Sequence, residues 1–135
     1  MLNLNNKEVQ FAISAVQQAT RLVKEIQAEL VSPALTKDDR SPVTVADFAA
    51  QTLVGYLLSK TFPSDLMIAE EDSSALASSE SMLDQVTGFI QRHIQQATPE
   101  LVCQWIDFGR TDSASRFWTL DPIDGTKGFL RGDPY

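Results

Sequence analysis

The stretch Phe117-Trp-Thr-Leu-Asp-Pro-Ile-Asp-Gly-Thr126, FWTLDPIDGT, runs from a short apolar segment into two aspartates separated by a proline and an isoleucine. A short apolar run bounded by turn residues reads as a buried strand, here one that delivers Asp121 at its end. A passage of the same design lies upstream. LMIA, Leu66 to Ala69, is an apolar run that delivers the acidic cluster Glu70-Glu71-Asp72. Two strands, each ending in carboxylates and separated in sequence by helices, predict an α+β or α/β sandwich with its polar site at the strand ends.

The helices are read from periodicity. Val9, Ile13, Val16, Thr20, Val23, Ile26 and Leu30 recur every three or four residues, one face of a long helix from about Asn5 to Val31. Ser32-Pro33 ends it, because the residue before a proline is pushed out of helical geometry. A charged loop, TKDDRSP, follows. A second helix is expected from near Asp47, with Phe48, Leu53, Val54, Leu57 and Leu58 inward, and Phe62-Pro63 closes it. SSALASSES, Ser73 to Ser81, reads as a small-residue loop ending in helix N-caps. Met82, Leu83, Val86, Phe89, Ile90 and Ile94 predict a third helix. Pro99 suits the first turn of a short fourth helix carrying Leu101, Val102 and Trp105, and GRTDSAS, Gly109 to Ser115, is a loop.

Composition narrows the function classes. The chain has 135 residues, enough for one modest core, and 43% of them are apolar, which marks it as globular. A formal charge of −7 argues against nucleic acid or an anionic membrane as partner. No apolar run approaches the roughly 20 residues that span a bilayer. The opening MLNLNNKEVQ lacks signal-peptide design. Cys103 is the single cysteine, so an intrachain disulfide is excluded, and cytoplasm is the expected compartment. The chain stops at RGDPY, just after its densest motif, which predicts one piece of a longer enzyme.

Carboxylates converging from separate strand ends repel one another unless a cation neutralises them. Oxygen-only ligands select hard ions such as magnesium, manganese or calcium. With one histidine and one cysteine, a nitrogen–sulfur zinc site is disfavoured. Pro122 stiffens the turn between Asp121 and Asp124, which would aim both carboxylates and the Ile123 carbonyl at one ion. Gly125-Thr126 then begins a turn or helix whose amides suit phosphate oxygens, and the Thr126 hydroxyl is placed to orient a water. The plainer reading stays open beside this one. Asp-Pro and Asp-Gly are common turn formers, and Asp121, Asp124 or Asp47 would equally serve as helix caps. Glu71 and Asp72 read as supporting or solvated acids rather than ligands. His93 reads as a surface side chain on a polar helix, and Cys103 and Trp105 as packing. Lys127 and Arg131 suit either phosphate or solvent, and Lys37, Asp39 and Arg40 form a charged loop.

SPVTVAD at Ser41 to Asp47, AEED at Ala69 to Asp72 and LDPIDGT at Leu120 to Thr126 resemble, in order and spacing, the lithium-sensitive magnesium phosphatase superfamily. That group includes inositol monophosphatases, fructose-1,6-bisphosphatases and 3′(2′),5′-bisphosphate nucleotidases. The flanks in RFWTLDPIDGTKGFLRGDPY look like the bisphosphate nucleotidase branch. The resemblance implies the N-terminal half of a layered α+β sandwich of the sugar-phosphatase type, with the C-terminal portion outside residues 1–135. It implies that Glu70, Asp121, the Ile123 carbonyl and Asp124 bind two or more magnesium ions. Asp47 and Thr126 would position or deprotonate the attacking water, and the amides of Gly125 and Thr126 would hold the phosphate. The implied reaction is in-line hydrolysis of a phosphate monoester. The implied substrate is a phosphorylated nucleotide, 3′-phosphoadenosine 5′-phosphate, the by-product of sulfate transfer.

The chain departs from the family pattern at three places. Ala69 stands where glycine is usual, and Pro134 where the branch usually has glutamine. The C-terminal half, which in the family supplies a further metal-binding aspartate and most of the nucleotide pocket, lies beyond Tyr135. Two further readings stand beside the nucleotidase: an inositol-phosphate or sugar-bisphosphate phosphatase, and a non-catalytic metal- or phosphate-binding module.

Overall fold

Met67 and Trp118 lie side by side in two short strands that run the same way, and much of the chain between them exists to make that possible. The structure, a computed structural model, describes residues 3–31, 41–109 and 116–132. Strands β1 (Leu66–Ala69) and β2 (Phe117–Leu120) pair in parallel, with Leu66 opposite Phe117 and Ala69 opposite Leu120. Parallel neighbours cannot be joined by a tight turn and need a crossover. Helices α3 (Ser73–Ala77), α4 (Glu80–Gln91) and α5 (Pro99–Ile106) lie along it, and α1 (Lys7–Leu30), α2 (Ser41–Thr61) and α6 (Thr126–Arg131) complete the order. This mixed α and β architecture is the class expected from the sequence. Of that expectation, the end of α1 at Ser32-Pro33, most of the charged loop that follows, and the loop after Gly109 lie outside the described residues.

Helix α2 is the centre of the molecule. Val45, Ala46, Phe48, Ala49, Ala50, Leu53 and Leu58 are all buried along it. It begins at Ser41, not near Asp47. Pro42 falls in the first turn, where a missing N–H costs nothing because that N–H has no intrahelical partner. The proline read as the end of a loop is therefore a helix starter. Asp47 sits inside the helix, so the cap role left open for it is excluded. Helix α5 crosses α2 so closely that a Cβ on Gly55 would stand 1.9 Å from the Trp105 carbonyl oxygen.

Three other expectations are corrected. The small-residue segment after the acidic cluster is not all loop: α3 forms there, its amide at Ala75 capped by the Asp72 side chain, and Ser79 caps α4. Helix α4 ends at Gln91, before Ile94, although the Ile94 side chain is buried. His93 therefore lies past the helix end; it is exposed, with Nε2 3.2 Å from a Glu25 carboxylate oxygen. Finally, the strands are buried on one face only. Met67 packs against Val54 and Leu58 of α2, with Phe11, Trp118 and Leu120 beside them. Ile68 and Phe117, on the other face, remain 54% and 60% exposed. The apolar stripe of α1 behaves likewise: Val23 and Ile26 are buried, while Ile13 and Val16 are exposed.

Candidate active site

Because β1 and β2 are parallel and in register, Ala69 opposite Leu120, the residues that follow them leave the sheet at the same edge. Glu70 and Asp121 are those residues. A parallel pair thus turns two distant acidic segments into one acidic edge. Helix α2 adds Asp47 to it: its half-buried carboxyl is pushed up to about 7, first by burial and then by the neighbouring charges of Glu71, Glu70 and Asp121. Glu71 is raised as well, by burial and by Glu70 and Asp72. The charges of Glu70 and Asp121 thus both act on Asp47.

The turn after β2 is anchored from below. The Ile123 side chain is buried in the main core, with Phe129 of α6 fully buried beyond it. Asp121 and Asp124 stay exposed on either side of Ile123. Gly125 takes a left-handed conformation, φ 76°, and serves as the N-cap of α6 without a side chain. That backbone is accessible to glycine at little cost and strained for most other residues. The Gly125 carbonyl accepts from the Phe129 amide at 3.1 Å, closing the first turn. Gln27 of α1 donates its Nε2 to the Phe129 carbonyl at 3.1 Å and ties α6 to the long helix.

Among the described residues, no three histidine, cysteine, aspartate or glutamate side chains converge closely enough to enclose a metal ion. The donor chemistry nevertheless fits a hard divalent ion: the charged groups that act on the half-buried Asp47 carboxyl, namely Glu71, Glu70 and Asp121, are all oxygen acids, and a cation would oppose their repulsion. Cys103 is partly exposed on α5 and its thiol is pushed up by burial, with Asp107 and Glu100 adding to the effect, while Trp105 packs in the core. Both fit the structural role expected of them.

Residues that the sequence did not single out support the acidic edge. Gln51, one turn of α2 beyond Asp47, is buried and bonded to the Glu71 backbone at both its N–H and its carbonyl. Asp107 at the end of α5 accepts from the Ser73 amide at 2.9 Å and from the Ser73 hydroxyl. A lone glutamine in the apolar run of α2 was the available signal. Only the tertiary fold gives it a partner.

The acidic edge thus lies at the shared exit of two parallel strands, and the turn after β2 leads into a helix that starts at a glycine. The chain belongs to the inositol monophosphatase family, whose model matches residues 4–135. It is 44% identical over 147 residues to 3′(2′),5′-bisphosphate nucleotidase 1 of Candida albicans, which covers 96% of this chain and 40% of that protein. The 3′(2′),5′-bisphosphate nucleotidase of Schizosaccharomyces pombe is 41% identical over 145 residues, covering 95% of this chain and 41% of its own length. The Dictyostelium discoideum protein of the same name is 40% identical over 131 residues, covering 92% and 40% respectively. The chain spans about two fifths of the length of these curated relatives. No helix is long and apolar enough to cross a membrane among the described residues.

Proposed function

We propose that residues 1–135 form the N-terminal α+β portion of a layered, magnesium-dependent phosphatase. Its reaction is hydrolysis of the 3′-phosphate of 3′-phosphoadenosine 5′-phosphate to AMP and phosphate. The observation that carries this reading is the registered parallel pair that sets Glu70 and Asp121 at one edge within the field of Asp47. The names and similarity of the relatives support the substrate class.

In this reading Glu70, Asp121, Asp124 and the Ile123 carbonyl hold magnesium. When bound, magnesium lowers the pKa of water and neutralises charge on the phosphoryl group. Asp47 and Thr126 orient the attacking water, and Asp47 takes its proton as the oxygen closes on phosphorus. The amides of Gly125 and Thr126 receive the phosphoryl oxygens as the bond from phosphorus to the 3′ oxygen breaks. That oxygen takes a proton from solvent water and leaves as the 3′-hydroxyl of AMP, and Asp47 returns the proton it took to solvent. Burial and the charges of Glu71, Glu70 and Asp121 push Asp47 up to about 7 in the metal-free chain, which makes its carboxylate a stronger base than an ordinary one. The further segment proposed to complete the enzyme would supply another ligand and the nucleotide pocket. Cytoplasm remains the proposed compartment.

The test is phosphate release by the full-length protein with magnesium. We expect far faster release from 3′-phosphoadenosine 5′-phosphate than from inositol 1-phosphate. The reverse order would move the protein to the inositol phosphatase reading. Magnesium binding without release from either substrate or from a sugar bisphosphate would leave a non-catalytic binding module.

A further inference from the structure

The acidic edge poses a mechanical problem. Glu70, Glu71 and Asp121 each act on Asp47 with like charge, Glu70 and Asp72 act so on Glu71, and the segment from Glu70 to Asp72 is a connection between β1 and α3 rather than part of either. Free to move, such a connection would swing outward and relieve the repulsion. Something must hold it against that force before any cation arrives.

Gln51 does this with both its amide nitrogen and its carbonyl oxygen. Its Oε1 accepts from the Glu71 amide at 3.0 Å, and its Nε2 donates to the Glu71 carbonyl at 2.7 Å and to the Ile106 carbonyl at 3.0 Å. The carboxamide therefore pairs with Glu71 as a neighbouring strand would, through one donor and one acceptor on the same residue. The third bond goes to a carbonyl at the end of α5, one of the last helical carbonyls that lack intrahelical partners. Gln51 is only 1% exposed, so these bonds form out of competition with water. They join α2, the exit of β1 and the end of α5 at one side chain. Gln51 lies one helical turn after Asp47, on the same face of α2. A bond from Gln51 to Glu71 thus fixes the end of β1 relative to Asp47 itself.

We infer that Gln51 is a positioning residue of the acidic edge, holding Glu70 beside Asp47 and Asp121 so that the edge is preformed for a divalent cation. The inference rests on the reading of Glu70 and Asp121 as magnesium ligands. An uncharged amide is the side chain suited to the task. A carboxylate here would add to the repulsion and lose both donations, and an aliphatic side chain would leave the Glu71 N–H and two carbonyls without that partner. Groups that orient metal ligands from behind typically alter metal affinity about 10–100-fold when removed.

The experiment uses the full-length protein. Magnesium is titrated by calorimetry into wild type, Gln51→Met, Asp121→Asn and Thr52→Val, and exchange of the Glu71 amide is followed without metal. Thr52→Val is the control for instability alone, since it removes a buried bond from the Thr52 hydroxyl to the Phe48 carbonyl and touches no acid of the edge. We expect Gln51→Met to weaken magnesium binding at least about tenfold, with faster exchange at Glu71, and Thr52→Val to lower Tm without moving the affinity. If Gln51→Met does not fold, Gln51→Glu keeps an acceptor for the Glu71 amide, loses both donations and is expected to show the same loss. Affinity within about twofold of wild type in a folded Gln51 variant would overturn the positioning role alone. A wild type that binds no magnesium, indistinguishable from Asp121→Asn, would overturn the site reading and the positioning role with it.

Discussion

The two ends of the β1–β2 pair carry acids in opposite circumstances. Where the strands begin, Arg116 donates its Nε to Asp65 at 2.9 Å and reaches Glu8 of α1 with Nη1 at 2.7 Å. Trp118 adds its indole N–H to the same Asp65 carboxylate at 2.8 Å. Acid there is matched by base, and the cluster fastens α1 to the sheet. Where the strands end, burial first and then the like charges of Glu71, Glu70 and Asp121 raise the Asp47 carboxyl to about 7. One end is an ion-pair fastening, and at the other like charges act on a half-buried carboxyl. In the proposed reading, the crowded end is where a divalent cation would bind.

Substitutions that neutralise one acid at each end should therefore act in opposite directions. At the crowded end, Asp121→Asn in the full-length protein is expected to reduce magnesium-dependent phosphate release about a thousandfold, equivalent to roughly 4 kcal/mol of transition-state stabilisation. The metal-free chain should melt no lower than wild type, because a repelling charge is gone. A variant that melts markedly lower yet retains activity would reverse the comparison. At the fastened end, Asp65→Asn weakens the charged acceptor shared by Trp118 and Arg116. A loss of about 1–2 kcal/mol of stability is expected, read by denaturant melts. The turnover of the folded protein should not change. Activity loss exceeding the unfolded fraction would tie that end to the site.

The sequence made some of this legible and not the rest, for physical reasons. LMIA and FWTL announced themselves as strands because short apolar runs between turn residues have few other uses. Their carboxylate exits followed directly, and with them the idea of a shared edge. The parallel register that unites Glu70 with Asp121 was not in the sequence, since pairing is a long-range choice. The start of α2 is not legible because Ser41-Pro42 reads equally as a turn and as a first helical turn. The exposure of Ile68 and Phe117 is invisible to periodicity, which reports apolar character and not whether a partner covers it. Gln51 was passed over because one amide in an apolar helix has no meaning until Glu71 and Ile106 are brought to it.

The measurement that bears most directly on the acidic edge is the titration of the Asp47 carboxyl carbon by NMR, in the full-length protein with chelator and then with saturating magnesium. The sign follows from the shift. The folded pKa, about 7, lies above the ordinary aspartate value of 3.8, so between them the native state holds a proton that the unfolded chain has released. Stability of the metal-free protein should therefore fall as pH rises from about 4 to about 7 and level off beyond. Asp47→Asn should flatten that slope. A cation at the edge opposes the repulsion from Glu70, Glu71 and Asp121 and so favours the charged form. The account predicts an Asp47 midpoint near 7 in chelator that drops by at least about one unit with magnesium. A midpoint that begins in the ordinary carboxylate range, or that stays where it was when magnesium is added, would contradict it.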